Sequence, residues 1–108
     1  MIVYIAGPMK GYPENNWQAF AKAQDQLEEL GCIVLNPAVL PDGMPADAYM
    51  PICIAMVQQA DAVYCLPGWV DSLGATVERQ FALYQHKPIF EDINHADLAI
   101  LAGLNFGR

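Results

Sequence analysis

Positive charge is scarce in this 108-residue chain, with five Lys and Arg against twelve Asp and Glu and a formal net charge of −7. DNA and RNA are bound by neutralising phosphates with basic surface, so this balance argues against a nucleic-acid polymer as partner. It leaves room for a mononucleotide, whose single phosphate can rest on backbone amides at a helix N-terminus. Long apolar runs are also missing. None reaches the roughly 18–20 residues that span a bilayer, so no membrane partner is expected. The opening MIVYIAGP has no basic n-region and turns early at Gly7-Pro8, unlike a signal peptide, which points to a cytoplasmic location. The three cysteines, Cys32, Cys53 and Cys65, are odd in number and lack CxxC spacing. Their apolar surroundings predict reduced, buried thiols. His86 and His95 show no HExxH-like spacing, so no metal and no cofactor are expected.

What is present is apolar material in short, alternating blocks. The length predicts one domain over residues 1–108, with 55% hydrophobic residues to fill a single core. MIVYIA reads as a strand covered on both faces, followed by the turn-rich loop GPMKGYPENN. Asn15 or Asn16 can cap a helix carrying Phe20, Ala23, Leu27 and Leu30 at helical spacing, with Gly31 as its stop. CIVLN reads as a second buried strand. Residues 37–51 read as a loop punctuated by Pro37, Pro41, Pro45 and Pro51. ICIAMVQQA then reads as helix and DAVYCL as a third strand. SLGATVERQFALYQH reads as a third helix, with Leu73, Val77, Phe81 and Tyr84 on one stripe. KPIF is a short fourth strand, and the tail after Phe90 has room for a last helix.

Strands alternating with helices predict a doubly wound parallel sheet of four to five strands, a flavodoxin-like or Rossmann-like three-layer α/β/α fold. Ligands in such sheets bind beyond the C-terminal ends of the strands. That rule selects the loops GPMKGY, NPAVL and PGWVDS. It sets aside Asp61, which opens the third strand about 16 Å from that strand's far end. Glu78 stands out because it lies beyond the capping-box position and the first helical turn, where acids are commonest. Its helical neighbours Gly74, Ala75 and Ala82 are small, so a ligand could approach closely. A surface or internally satisfied glutamate is the alternative that spacing leaves open. Tyr4 taken alone reads as a core aromatic with a satisfied hydroxyl, and Trp69 is placed either to stack on a planar ligand or simply to pack.

YIAGPMKG, LNP, ADAVYCLPGW and SLGATVE occur in that order, and together they resemble the nucleoside 2-deoxyribosyltransferase-like superfamily over roughly residues 1–90. The specific parts are Y-x-x-G-P at the N-terminus and S-x-G-x-x-x-E. The resemblance implies cleavage or exchange of the N-glycosidic bond of deoxynucleosides or their 5′-monophosphates. It implies Glu78 as nucleophile on the anomeric carbon and Tyr4 holding its carboxylate, with Asp71 the nearest candidate for an acid touching the sugar. Gly7, Pro8 and Met9 would line the base or sugar pocket, and Ser72 would help hold a phosphate. Asn36, Cys53, Gly68, Trp69 and Gly74 complete the substrate-binding set. It further implies a homodimer or higher homo-oligomer, in which Asn105 or the terminal carboxylate of a neighbouring chain enters the site. LPG…GAT..E also resembles the phosphoribohydrolases of the lysine-decarboxylase-like group, although Trp69 stands where their motif has a second glycine.

One departure from the superfamily pattern bears on activity. Members usually carry an aspartate eight residues before the acid that opens the third strand, and it helps protonate the leaving base. Here that position is Cys53, and Pro51 stands where a basic residue is common. Asp71 or Asp47 could substitute. Otherwise activity is weak, or the fold serves binding alone. Lys10 and Arg79 are the only basic residues expected near the site, which favours nucleosides over nucleotides.

Overall fold

The computed structural model describes residues 1–91, so the expected tail helix, His95 and Asn105 lie outside the described residues. Four parallel strands form one sheet in the order β2-β1-β3-β4. They are β1 Ile2–Ala6, β2 Ile33–Leu35, β3 Ala62–Cys65 and β4 Ile89–Glu91, and the connecting helices are α1 Trp17–Glu29, α2 Ala46–Gln59 and α3 Leu73–Tyr84. The register pairs Ile2 with Ile33, Val3 with Ala62 and Val63 with Ile89. The fold is the expected α/β/α class. Because β2 and β3 flank β1, the chain leaves β1 in both directions, the arrangement that opens a crevice at the C-terminal ends of the strands.

Strand alternation divides the core into two layers. Val3, Ile5, Ala62 and Tyr64 meet Phe20, Ala23 and Leu27 of α1. Tyr4, Ala6, Val63 and Cys65 point the other way, onto Cys53 and Val57 of α2 and Ala75 and Ala82 of α3. Tyr4 thus faces the helices that follow the crossover. At the opposite end of the sheet, the Ile2 amide donates to Asp61 Oδ2 (2.8 Å) and the Asp61 amide to the Ile2 carbonyl (2.7 Å). Asp61 is a clasp between β1 and β3, the structural role its position predicts.

Helix ends are closed by several devices. Gly31, at φ 87°, ends α1 in a Schellman motif, with the Cys32 amide donating to the Leu27 carbonyl and the Gly31 amide to Glu28. His86 takes the same left-handed position after α3 (φ 60°), where the Lys87 amide donates to Ala82 and the His86 amide to Leu83. The Lys87 ammonium donates to the carbonyls of Val57 (2.6 Å), Gln58 (2.7 Å) and Ala60 (2.6 Å), closing the C-terminal end of α2.

Four expectations need correction. Strand β2 is a sheet edge, not a buried strand, and Ile33 is 64% exposed. Asn16 precedes α1 but does not cap it. It sits in the left-handed region (φ 63°) and its Nδ2 donates to the Pro8 carbonyl at 3.0 Å, tying the first loop to the helix start. Helix α2 begins at Ala46, inside the expected loop, and runs through Pro51. An internal proline forfeits one backbone bond. The carbonyl freed belongs to exposed Asp47, where water can serve it, while Cys53 and Val57 anchor the helix on the sheet. Finally, the apolar stripe of α3 is not its packed face. Leu73 and Tyr84 are each 82% exposed, whereas Ala75, Glu78 and Ala82 are buried. Small residues face the sheet here because α3 lies close to it.

Candidate active site

A cavity of about 560 Å³ opens beyond the C-terminal end of β1, between the segment that follows β2, helix α2 and the start of α3. This is the size of a small-molecule site. Tyr4 from β1, Cys53 from α2 and Glu78 from α3 all reach it, and Gly7, Met9, Ser72 and Gly74 of the expected residues line it too. Glu78 is 6% exposed and is the one charged side chain buried among the described residues.

The local backbone explains how the acid is presented. Ser72 Oγ accepts from the Ala75 amide at 3.2 Å, so the serine caps α3. Glu78 then lies inside the helix, one turn beyond Gly74 on the same side. Gly74 contributes no side chain to the wall, and a Cβ there would meet only the Met50 methyl at 3.5 Å. Gly7 permits a close approach at the end of β1, where a Cβ would lie 2.7 Å from Leu66 Cδ1.

Removal from water dominates the electrostatics. Burial raises the Glu78 carboxyl from 4.5 to about 7, and the neighbouring Tyr4 and Cys53 donor groups oppose that rise. The Cys53 thiol is pushed up to about 11, chiefly by burial. Burial and then the adjacent Glu78 push the Tyr4 hydroxyl far above the ordinary phenol range. Tyr4 and Cys53 are therefore neutral donors beside a carboxylate that exchanges its proton near neutrality. The Tyr4 hydroxyl is inaccessible to water and makes no hydrogen bond of good geometry. It lies beside Glu78 without a settled bond to it, an unusual state for a buried hydroxyl.

Other expected residues lie elsewhere. Asn36 is buried under the second loop, donating to Gln24 Oε1 (2.9 Å) and accepting from the Ala38 amide (2.8 Å). Trp69 packs against the α2–α3 core with the Arg79 guanidinium 4.5 Å from its ring centroid, and Arg79 also pairs with Glu91 at 2.9 Å. Gly68 turns the chain at φ 87°, tight against Tyr12 and Pro8. None of Pro8, Asn36, Gly68, Trp69, Asp71, Asp47 and Arg79 lines the cavity, whereas Lys10 does.

The loop NPAVL lines the cavity through Pro37, Ala38 and Leu40, and the wall missing from the sequence reading comes from residues 42–50. Asp42, Met44, Tyr49 and Met50 all line it. The Tyr49 hydroxyl donates to the Pro41 carbonyl and accepts from the Met44 amide (3.2 Å), folding that loop back over α2. Asn15 Nδ2 donates to Asp42 Oδ1 (3.3 Å), so the first and second loops meet across the mouth. A tyrosine eight residues after Pro41 was the available signal, but proline density suggested an open loop.

Two solved structures share this architecture. The 2-deoxyribosyltransferase of Leishmania mexicana superposes with a TM-score of 0.68 at 19% identity, covering 83% of this chain and 62% of that one. The 2-deoxyribosyltransferase of Bacillus psychrosaccharolyticus gives 0.67 at 17% identity, over 91% of this chain and 80% of that one. The present chain thus spans less than two thirds of the Leishmania protein. At these identities the likeness is one of fold. No curated protein matches the sequence. A family model described as a domain of unknown function (DUF4406) matches residues 1–91, and the chain belongs to that family.

Proposed function

We propose that the protein cleaves or transfers at the N-glycosidic bond of a nucleoside or its 5′-monophosphate, with Glu78 as nucleophile. The observation that carries this is a buried carboxylate at the base of an open cavity, with the unpartnered Tyr4 hydroxyl beside it. A carboxylate so placed can bond to an anomeric carbon as the base departs, dividing one difficult step into two. Tyr4 and Cys53 would orient it as neutral donors. Water or a second base would then take the sugar. Ser72 and the start of α3 supply polar groups at one end of the cavity, and Lys10 is the single cation among the described lining residues. One cation fits an unphosphorylated nucleoside better than a nucleotide.

The fold likeness to two 2-deoxyribosyltransferases supports this reading, and a deoxyribosyl donor is its natural form. The homo-oligomer and the cytoplasmic location expected from the sequence belong to the same proposal. Light scattering that returns the mass of one chain would reject the first. A second reading, a non-catalytic small-molecule binder, draws on the position of Asp47 and Asp71 away from the cavity. Incubation with each deoxynucleoside and monophosphate, followed by chromatography for free base, separates the two. Base release that disappears in Glu78→Ala is expected. Binding without release in the wild type, retained in Glu78→Ala, would favour the binder.

A further inference from the structure

The walls of the cavity bear on which N-glycoside it accepts, a question that rests on the Glu78 reading above. A neutral base leaving a sugar keeps the bonding electron pair and departs as an anion unless a proton reaches it. Few described lining residues could deliver that proton. Tyr4 and Cys53 stand nearest Glu78, yet both hold their protons too tightly in this buried setting. Asp42 is exposed at the mouth, engaged by Asn15. Glu78 must be ionised to act as nucleophile and cannot also serve as acid in the same step.

The remaining wall has a consistent character. Met9, Met44 and Met50 bring three thioethers and Tyr49 an aromatic ring, while Lys10 is exposed at the rim. Polarisable sulfur and ring faces suit a flat aromatic guest, and electron-rich rings favour a cationic one. Glu78 and Asp42 both line it as acidic residues.

We propose that the cavity takes N-glycosides whose base is already quaternised, a heteroaromatic cation such as an N-alkylated purine or a pyridinium joined to the sugar. The C1′–N bond breaks, its electron pair returns to the ring nitrogen, and the base leaves as a neutral molecule without needing a proton. One Glu78 oxygen bonds to C1′ as a glycosyl ester. Water then attacks C1′, the ester bond breaks, and the water's second proton passes to Glu78 or solvent. Neither oxidant nor reductant takes part.

The test compares 7-methyl-2′-deoxyguanosine with 2′-deoxyguanosine, following free base and subtracting uncatalysed release. Release from the methylated substrate is expected to be faster by roughly 100-fold, the low end of what general-acid help contributes, and to be lost in Glu78→Ala. Cys53→Asp places a carboxyl group beside the cavity. Read as the ratio of the two rates, it is expected to narrow the preference for the methylated substrate about tenfold or more. Comparable rates on the two substrates in the wild type would overturn the cationic preference and leave Glu78 chemistry standing. A ratio left unchanged by Cys53→Asp would overturn it as well. If neither substrate releases base, the glycosidase reading falls with it. The wild-type ratio decides the matter even if Cys53→Asp does not fold.

Discussion

Glu78 should destabilise the protein at the pH where it would be needed, and the effect can be sized. Its carboxyl moves from 4.5 when solvated to about 7 in the fold, because burial penalises the charged form. The folded state therefore binds the proton more tightly, and stability falls as pH rises wherever the folded chain carries more protons. The contribution is fully present below about 4.5 and is lost as pH rises through about 7. At roughly 1.4 kcal/mol per pH unit, the loss across that window is about 3 kcal/mol. Glu78→Gln keeps the shape and removes the ionisation. Urea unfolding of both proteins at pH 5 and pH 8.5 should show the glutamine variant gaining on the wild type by about 2–3 kcal/mol between the two pH values. A difference that stays constant within about 0.5 kcal/mol would refute the argument, since it would mean the carboxyl titrates as if in water.

Tyr4→Phe removes a hydroxyl that makes no settled hydrogen bond, so urea unfolding should show a cost below about 1 kcal/mol. The same change deletes a donor to Glu78, so the acid limb of base release should move above pH 7. His86→Gly should stabilise the protein by about 0.5–1 kcal/mol in thermal unfolding, because His86 holds a left-handed backbone that glycine adopts freely. Gly7→Ala should cost about 1–3 kcal/mol, read by the same method, because its methyl group would press on Leu66 from 2.7 Å. Lys87→Met leaves three carbonyls at the end of α2 without their shared donor, and an unfolding loss of about 1–3 kcal/mol is expected.

The layer order was legible because it rests on short-range periodicity. Blocks such as IVYIA and AVYC have no polar face and read as interior strands, which they are, although the same rule misplaced the edge strand β2. Alternation with helical spacing implied parallel crossovers. Asp61 was legible for a similar reason, as its position at the start of β3 fixed it at the sheet end away from the cavity. Helix α2 was not. Local rules weigh Pro51 as a breaker, and only the contact of Cys53 and Val57 with the sheet outweighs that cost. The α3 stripe failed for the opposite reason: hydrophobicity marked Leu73 and Tyr84 for burial, but the close approach of helix to sheet admitted alanines.

The sequence alone determined the parallel α/β plan, the acidic surface, and the motif that singles out Glu78 and Tyr4, since each depends on residue type and spacing along the chain. The resemblance put Tyr4, Cys53 and Glu78 in one site, but it put Trp69 and Asn36 there too, and only the structure shows that those two do not line the cavity. Nor could the sequence say that residues 42–50 build a further wall. Those facts depend on how separate elements meet in space. Burial, which sets the protonation of Glu78, arises only after they have packed.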